Sequence, residues 1–243
     1  MSDNVLKRDI FIGFDRVDMN FRLRPSSLLN LLQDMATQSA DSFGFGYNDI
    51  SKKNLGWFLI KYHIEFSEYP SMTGNYVFAT EPRGVDRIMA MRDFQIYKDE
   101  KCIARVTSSW LLADMTTRSL VSIKDSLDMW NYEKREDDLK FEKIRLPETF
   151  DYNKEFEVRY EDLDVNKHVN NANYIVWAME SLPYDFRNGH SIKTIDMYFK
   201  KEALYGETIV SKCKLDNTEL TSYHALVNKE NDDELCLLML KYF

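Results

Sequence analysis

The ten residues from Asp162 to Asn171 hold two carboxylates (Asp162, Asp164), three asparagines (Asn166, Asn170, Asn171) and His168, one of only four histidines in the 243-residue chain. These are the groups that acid–base chemistry at a polarised carbonyl requires. An imidazole titrates near neutral pH, an amide N–H donates to a developing oxyanion, and a carboxylate orients either one. Asn166 is the oxyanion candidate, and Asp164 is expected to orient Asn166 or His168. Asp162 reads as structural, and Asn170, Asn171 and Asn173 read as turn or cap residues. His63, His190 and His224 have no such company and read as structural.

The cluster runs directly into an amphipathic pattern. Tyr174, Ile175, Ala178, Met179 and Leu182 fall on one helical face, Asn170 or Asn171 suits the N-cap, and Pro183 marks the end. The polar residues are therefore expected at a helix N-terminus, where unpaired N–H groups and the positive end of the macrodipole steady a negative oxygen.

The elements that must position this site read as one plan made twice. In the first half, residues 11–14 form a short apolar run suited to a strand. Pro25 opens a helix whose Leu28, Leu29, Leu32, Met35, Ala36 and Ser39 share a face, ending near Gly44 or Gly46. From Gly56 the period becomes two: Phe58, Ile60, Tyr62, Ile64 and Phe66 alternate with Leu59, Lys61, His63 and Glu65, the pattern of a strand with one buried face. Strands follow at 75–82, 87–98 and 101–113, the last two joined at Asp99-Glu100 by a hairpin. Residues 124–150 carry the charge run Glu133-Lys134-Arg135-Glu136-Asp137-Asp138 and read as a connector with a short helix near 125–131. The second half then gives a strand at 154–160, the cluster and its helix, and strands at 192–202, 207–215, 220–229 and 234–242.

A weak internal repeat supports duplication. Residues 14–22 lie over residues 160–168 at a constant offset, so that Asp18 and Asn20 answer Asp164 and Asn166, while Arg22 stands where His168 does. Only the second copy keeps a group that titrates near neutral pH, so the first half is expected to bind or support. The first half is about 14 residues longer between helix and later strands by the offsets of Asp18 to Asp164 and Gly74 to Gly206, an insertion expected at 44–54. A long helix packed on an antiparallel sheet, twice, is an α+β architecture. Its divisions are an N-terminal unit at 1–123, the connector at 124–150 and a catalytic unit at 151–243.

Composition excludes other classes. With 44% hydrophobic and 30% charged residues the chain can build a packed core. A net charge of −8 argues against nucleic acid as a partner. The basic groups Lys52-Lys53, Arg83 with Arg87 and Arg92, and Lys200-Lys201 read as solvated surface charge. Cys102, Cys213 and Cys236 have no metal-ligand spacing and no even pairing. The segment from Met1 to Asp9 has no apolar signal region, and no run is long enough to insert into a membrane, so a cytoplasmic location is expected.

The stretch from Asp162 to Asn171, with Tyr174, Trp177 and Glu180, resembles the plant and bacterial acyl-acyl carrier protein (acyl-ACP) thioesterases. The resemblance extends through 29–36, 56–64, 92–96, Thr107-Ser108-Ser109-Trp110, Asp114 and Thr117-Arg118. It implies a tandem (double) hotdog fold and a hydrolase that terminates fatty acid synthesis by releasing fatty acid from carrier protein. The carrier is then the implied partner, and no metal or organic cofactor is implied. Asp164, Asn166 and His168 take the family's Asp-x-Asn-x-His positions. Residues 198–203 resemble the segment that supplies a catalytic Glu, often followed by Cys, which places Glu202 at the acid and Ala203 at the cysteine. Ala203 removes any thiol nucleophile there, so direct attack of water is expected, with Glu202 as general base and His168 assisting. Met35, Ala36 and Trp57 are the candidates for the wall of an acyl tunnel, although the tryptophans otherwise read as core. An acyl-CoA thioesterase and a non-catalytic acyl-binding module are the alternatives, and exposed sheet edges suit a homodimer.

Overall fold

A computed structural model describes residues 4–72 and 74–243; Thr73 and Met1 to Asp3, the start of the amino-terminal segment considered above, lie outside the described residues. The ten strands are β1 Leu6–Ile10, β2 Leu55–Phe66, β3 Tyr76–Asp86, β4 Met89–Lys98, β5 Lys101–Asp114, β6 Tyr152–Glu157, β7 Ile192–Phe199, β8 Thr208–Asp216, β9 Thr221–Asn228 and β10 Glu234–Tyr242. The helices are α1 Pro25–Ser42, α2 Tyr47–Ile50, α3 Ile123–Ser126, α4 Asn171–Glu180 and α5 Tyr184–Gly189. All pairings are antiparallel, in the order β1-β3-β4-β5-β2-β7-β10-β9-β8-β6. Each half contributes five adjacent strands, and β2 pairs with β7 at the seam, Lys61 opposite Tyr198 and Glu65 opposite Thr194. Helices α1 and α4 touch each other on one face of this sheet, and their apolar sides join residues from both halves in a single core. This is the α+β arrangement expected, with two hotdog units sharing one sheet.

The duplication extends to atoms. In both copies the Asp carboxylate accepts the N–H groups two and four residues on: Asn20 and Arg22 on Asp18, Asn166 and His168 on Asp164. Phe21 and Lys167 take the same left-handed conformation. The residue following each turn is pinned alike, Leu23 N–H to Pro70 O and Val169 N–H to Ala203 O. The extra length of the first half does not lie at 44–54. The links after α1 and α4 are nearly equal, whereas α1 has 18 residues against 10 in α4, and β2 has 12 against 8 in β7. Two additional helical turns, rather than a loop, distinguish the halves.

Other expectations shift. The strand expected at 11–14 is instead β1, an edge strand held by its backbone to β3, and Phe14–Arg16 forms a 3-10 turn. The connector's short helix lies at Ile123–Ser126. The hairpin at Asp99-Glu100 is present, with both residues at positive φ as a tight antiparallel turn requires. In β2 a bulge between Leu59 and Lys61 breaks the alternation. Leu59 therefore joins Tyr62, Ile64 and Phe66 in the core, and Phe58 and Ile60 do not.

His63 points from β2 to the opposite face, yet it is buried. The connector covers that face: Ile144 packs on Ala225, Leu237 and Met239, and Phe141 lies over Lys61. The charge run is partly committed, with Arg83 paired to Asp93 and Asp138 and Arg135 to Glu81. Arg83 and Arg92 are both buried, so neither contributes the surface charge expected of them. Beneath the connector His63 Nδ1 meets Asp196 Oδ1 at 2.6 Å and Nε2 meets Glu65 at 3.1 Å. Burial alone would lower the His63 pKa, but these carboxylates outweigh it and hold the ring above its ordinary value. The stabilisation is fully present below the unfolded-state pKa and fades as pH rises through the raised folded value. His63→Gln is therefore expected to cost about 3 kcal/mol at pH 6, and less above the folded-state pKa, in urea denaturation; an equal cost at both pH values would contradict the pair.

Candidate active site

The Asp164 turn ends where α4 begins. Asn170 is the N-cap, its side chain accepting the Ala172 N–H at 2.9 Å, and Asn173 Nδ2 donates to Asp162 O. Asp162 is buried and accepts three N–H groups of Arg159, the structural role expected of it. The first-turn N–H groups expected to face an oxyanion are thus partly satisfied by the cap itself. Asn166 is exposed, with its amide 3.5 Å from Asp164 Oδ2.

Glu202 comes from the link between β7 and β8. The Val169–Ala203 hydrogen bond brings the residue before each partner together, so that His168 Nδ1 lies 3.2 Å from Glu202 Oε1. This is an ion-pair approach without hydrogen-bond alignment, and Nδ1 is buried without another partner. Catalytic contacts in ligand-free proteins are commonly loose in this way. The other carboxylate oxygen of Glu202 accepts from Arg118 Nη2. Arg118 sits on a turn built by Asp114, whose Oδ1 accepts the Thr116 and Thr117 N–H groups, and its guanidinium stacks over Phe58 at 5.1 Å. Burial first, and then the charge of Arg118, lower the His168 pKa below its ordinary value, with Asp164 opposing. Burial and Arg118 thus favour the neutral ring.

Arg118 was not among the residues singled out for chemistry. Its only signal in the sequence was membership of the resembling stretch at 117–118. The corresponding positions of the first half carry no such pair: Arg22 binds Asp18 and the carbonyls of Arg187 and His190, and half-buried Tyr69 donates to Leu23 O. That half has lost the site and uses the space for structure.

A cavity of about 820 Å³ opens beside the pair, within the range of small-molecule sites. Asp164, Asn166, His168, Glu202 and Arg118 line it, and Ala36 of α1 and Trp57 of β2 form part of its wall. Met35 does not line it. Helical phase turns Met35, with Leu28 and Leu32, toward the sheet core, whereas Gln33, Ala36, Thr37 and Ala40 face the cavity. Three of these four lie in or beside the two turns that α4 lacks. Ala203 is fully buried in the core, and among the described residues no cysteine lines the cavity. His190 bonds Phe186 O, and buried His224 bonds Ser222 and is held down to about 3 by desolvation; neither approaches the site.

Comparison with known proteins bears on this geometry. Residues 3–129 match the family model described as the acyl-ACP thioesterase N-terminal domain, and residues 147–242 match that of the acyl-ACP thioesterase C-terminal domain. An oleoyl-acyl carrier protein thioesterase of Coriandrum sativum is 27% identical over 234 residues, covering 84% of this chain and 61% of its own. Oleoyl-acyl carrier protein thioesterase 2 of Arabidopsis thaliana is 29% identical over 226 residues with the same coverage. The chain thus spans about three fifths of the length of these relatives. Among solved structures, an acyl-ACP thioesterase from Bacteroides thetaiotaomicron superposes with a TM-score of 0.86 at 22% identity, covering 99% of this chain and 98% of that one. The 12:0-ACP thioesterase from Umbellularia californica gives 0.84 at 21% identity, covering 100% and 98%.

Proposed function

The chain belongs to the acyl-ACP thioesterase family, and from that premise we propose that it hydrolyses fatty acyl-acyl carrier protein to free fatty acid and carrier-protein thiol. The observation that carries the reading is the His168–Glu202 pair on the wall of a cavity that α1 also lines. The roles differ from those expected at first. Both oxygens of Glu202 are engaged, by Arg118 and by His168 Nδ1, whereas His168 Nε2 has no partner among the described residues and burial with Arg118 favours its neutral ring. His168 would take the proton of a water as its oxygen bonds to the thioester carbon, and return it as the C–S bond breaks and thiol leaves. Glu202 would receive the Nδ1–H and stabilise the imidazolium, Arg118 would fix Glu202, and Asp164 would hold the turn. The Asn166 amide would donate to the oxyanion.

The acyl chain would lie along Ala36 and Trp57. Ala36→Phe is expected to shorten the preferred chain and to cost about tenfold on the longest accepted substrate, read as release from carriers of graded chain length. An unchanged profile would remove the cavity from the account. Fatty acid synthesis in the cytoplasm is the setting that three free cysteines favour; the plant relatives are named as chloroplastic. Among the described residues no helix is long and apolar enough to cross a membrane.

A further inference from the structure

Two arginines are buried among the described residues, and they are treated oppositely. Arg83, on the connector face, is paired with two carboxylates. Arg92 projects from β4 to the helix face, is 6% exposed, and lines the cavity. Among the described residues its side chain has one hydrogen-bond partner, Thr80 Oγ1 at 3.0 Å, and no carboxylate within ion-pair distance. A guanidinium carries five N–H donors, and buried donors normally find acceptors.

The neighbouring acceptors are already engaged. Thr80 Oγ1 also donates to Asp93 O, and Ser108 Oγ is held between Arg92 O and Trp110 Nε1. Tyr62, which shares a row with Ser108 and Arg92 across the strands, is buried with its hydroxyl unpartnered. Burial lowers Arg92 only to about 10, so it remains charged at neutral pH. Arg92 therefore brings to the cavity wall a charged guanidinium with a single side-chain hydrogen bond among the described residues.

We propose that Arg92 is a subsite for the far end of the acyl chain that selects chains ending in an oxygen acceptor, a hydroxyl, keto or carboxylate group, over methyl-ended chains. The orientation rests on the thioesterase reading, which puts the thioester at His168. Strand β7, which leads to Glu202, lies three positions from β4, a lateral separation of about 14 Å that a chain of about ten to twelve carbons spans. A methyl end pushed against Arg92 strips water from the guanidinium and returns nothing. An oxygen replaces that water.

The test is binding of non-hydrolysable acyl-pantetheine amides of matched length ending in methyl, hydroxyl or carboxylate, followed by the fluorescence of Trp57 and Trp110, which line the cavity. The whole chain is used, as wild type, Arg92→Met and Arg92→Lys, with thermal melts to establish folding. Oxygen-ended probes are expected to bind wild type about 10–100-fold more tightly than the methyl-ended probe. Arg92→Met should abolish that difference without weakening the methyl-ended probe, and Arg92→Lys should retain part of it. Equal or tighter binding of the methyl-ended probe to wild type, a preference that survives Arg92→Met, or no binding of any probe would each overturn the proposal. So would a variant that only accepts longer methyl-ended chains, which would make Arg92 a hydrated end wall. Selective binding without turnover of acyl-carrier protein would leave the subsite standing and remove hydrolysis; turnover without selectivity would do the reverse.

Discussion

His168→Ala is expected to lower kcat by about 10²–10⁴-fold with little change in stability, since the side chain makes no aligned hydrogen bond and the turn is held by backbone bonds to Asp164. The activity of the wild type carries the matching pH signature. The base must be neutral, and burial with Arg118 lowers its pKa, so kcat/KM should fall on the acid side through an apparent pKa below 6.5. Arg118→Gln removes one of the lowering influences and should move that limb to higher pH. A limb that stays in place, or His168→Ala retaining most of its turnover, would take the proton transfer away from His168.

Glu202→Ala should lose about as much, again about 10²–10⁴-fold, and the double variant should lose little more than either single one. A base and the group that orients it act as a unit, so their losses do not add. The comparison separates this account from one in which Glu202 itself takes the proton from water. In that case Glu202→Gln, which keeps shape and hydrogen bonding to Nδ1, would be as inactive as Glu202→Ala; orientation by Glu202 predicts partial rescue by Gln. Multiplying losses in the double variant would show two independent contributions.

What the sequence reveals about this site depends on how local each feature is. The Asp164 turn is written in five consecutive residues, because an Asp carboxylate closes a loop on N–H groups two and four residues ahead. The helix after it follows from its period and the Asn170 cap. Glu202 and Arg118 have no such local trace. One is delivered by the Val169–Ala203 bond, and the other reaches Glu202 across 84 residues. Glu202 was reachable only through resemblance. That Met35 packs in the core rather than on the cavity wall is not legible in the sequence, because helical spacing identifies an apolar face without telling which part of it meets sheet and which meets cavity. The bulge in β2 erred in a related way: one extra residue exchanges the faces, and the alternating sequence on either side does not announce it.

The extra turns of α1 connect fold to chemistry. A duplicated unit whose turn carries Arg22 and whose link carries Tyr69 cannot perform acid–base catalysis near neutral pH. Its helix nonetheless lines the cavity that both halves share, with Ala36, Thr37 and Ala40 on the wall. On the proposed mechanism the second unit supplies the proton transfer and the first unit much of the wall for the acyl chain.

The most direct test of the central claim is the amount of free thiol and free fatty acid released from a series of acyl-carrier proteins, with the corresponding acyl-CoAs measured alongside and His168→Ala as the control. Equal molar release of both products from carrier protein, well above that from CoA and lost in the variant, is the predicted result. Preferential turnover of acyl-CoA would contradict the carrier assignment, and tight acyl binding with no release from either would contradict catalysis itself.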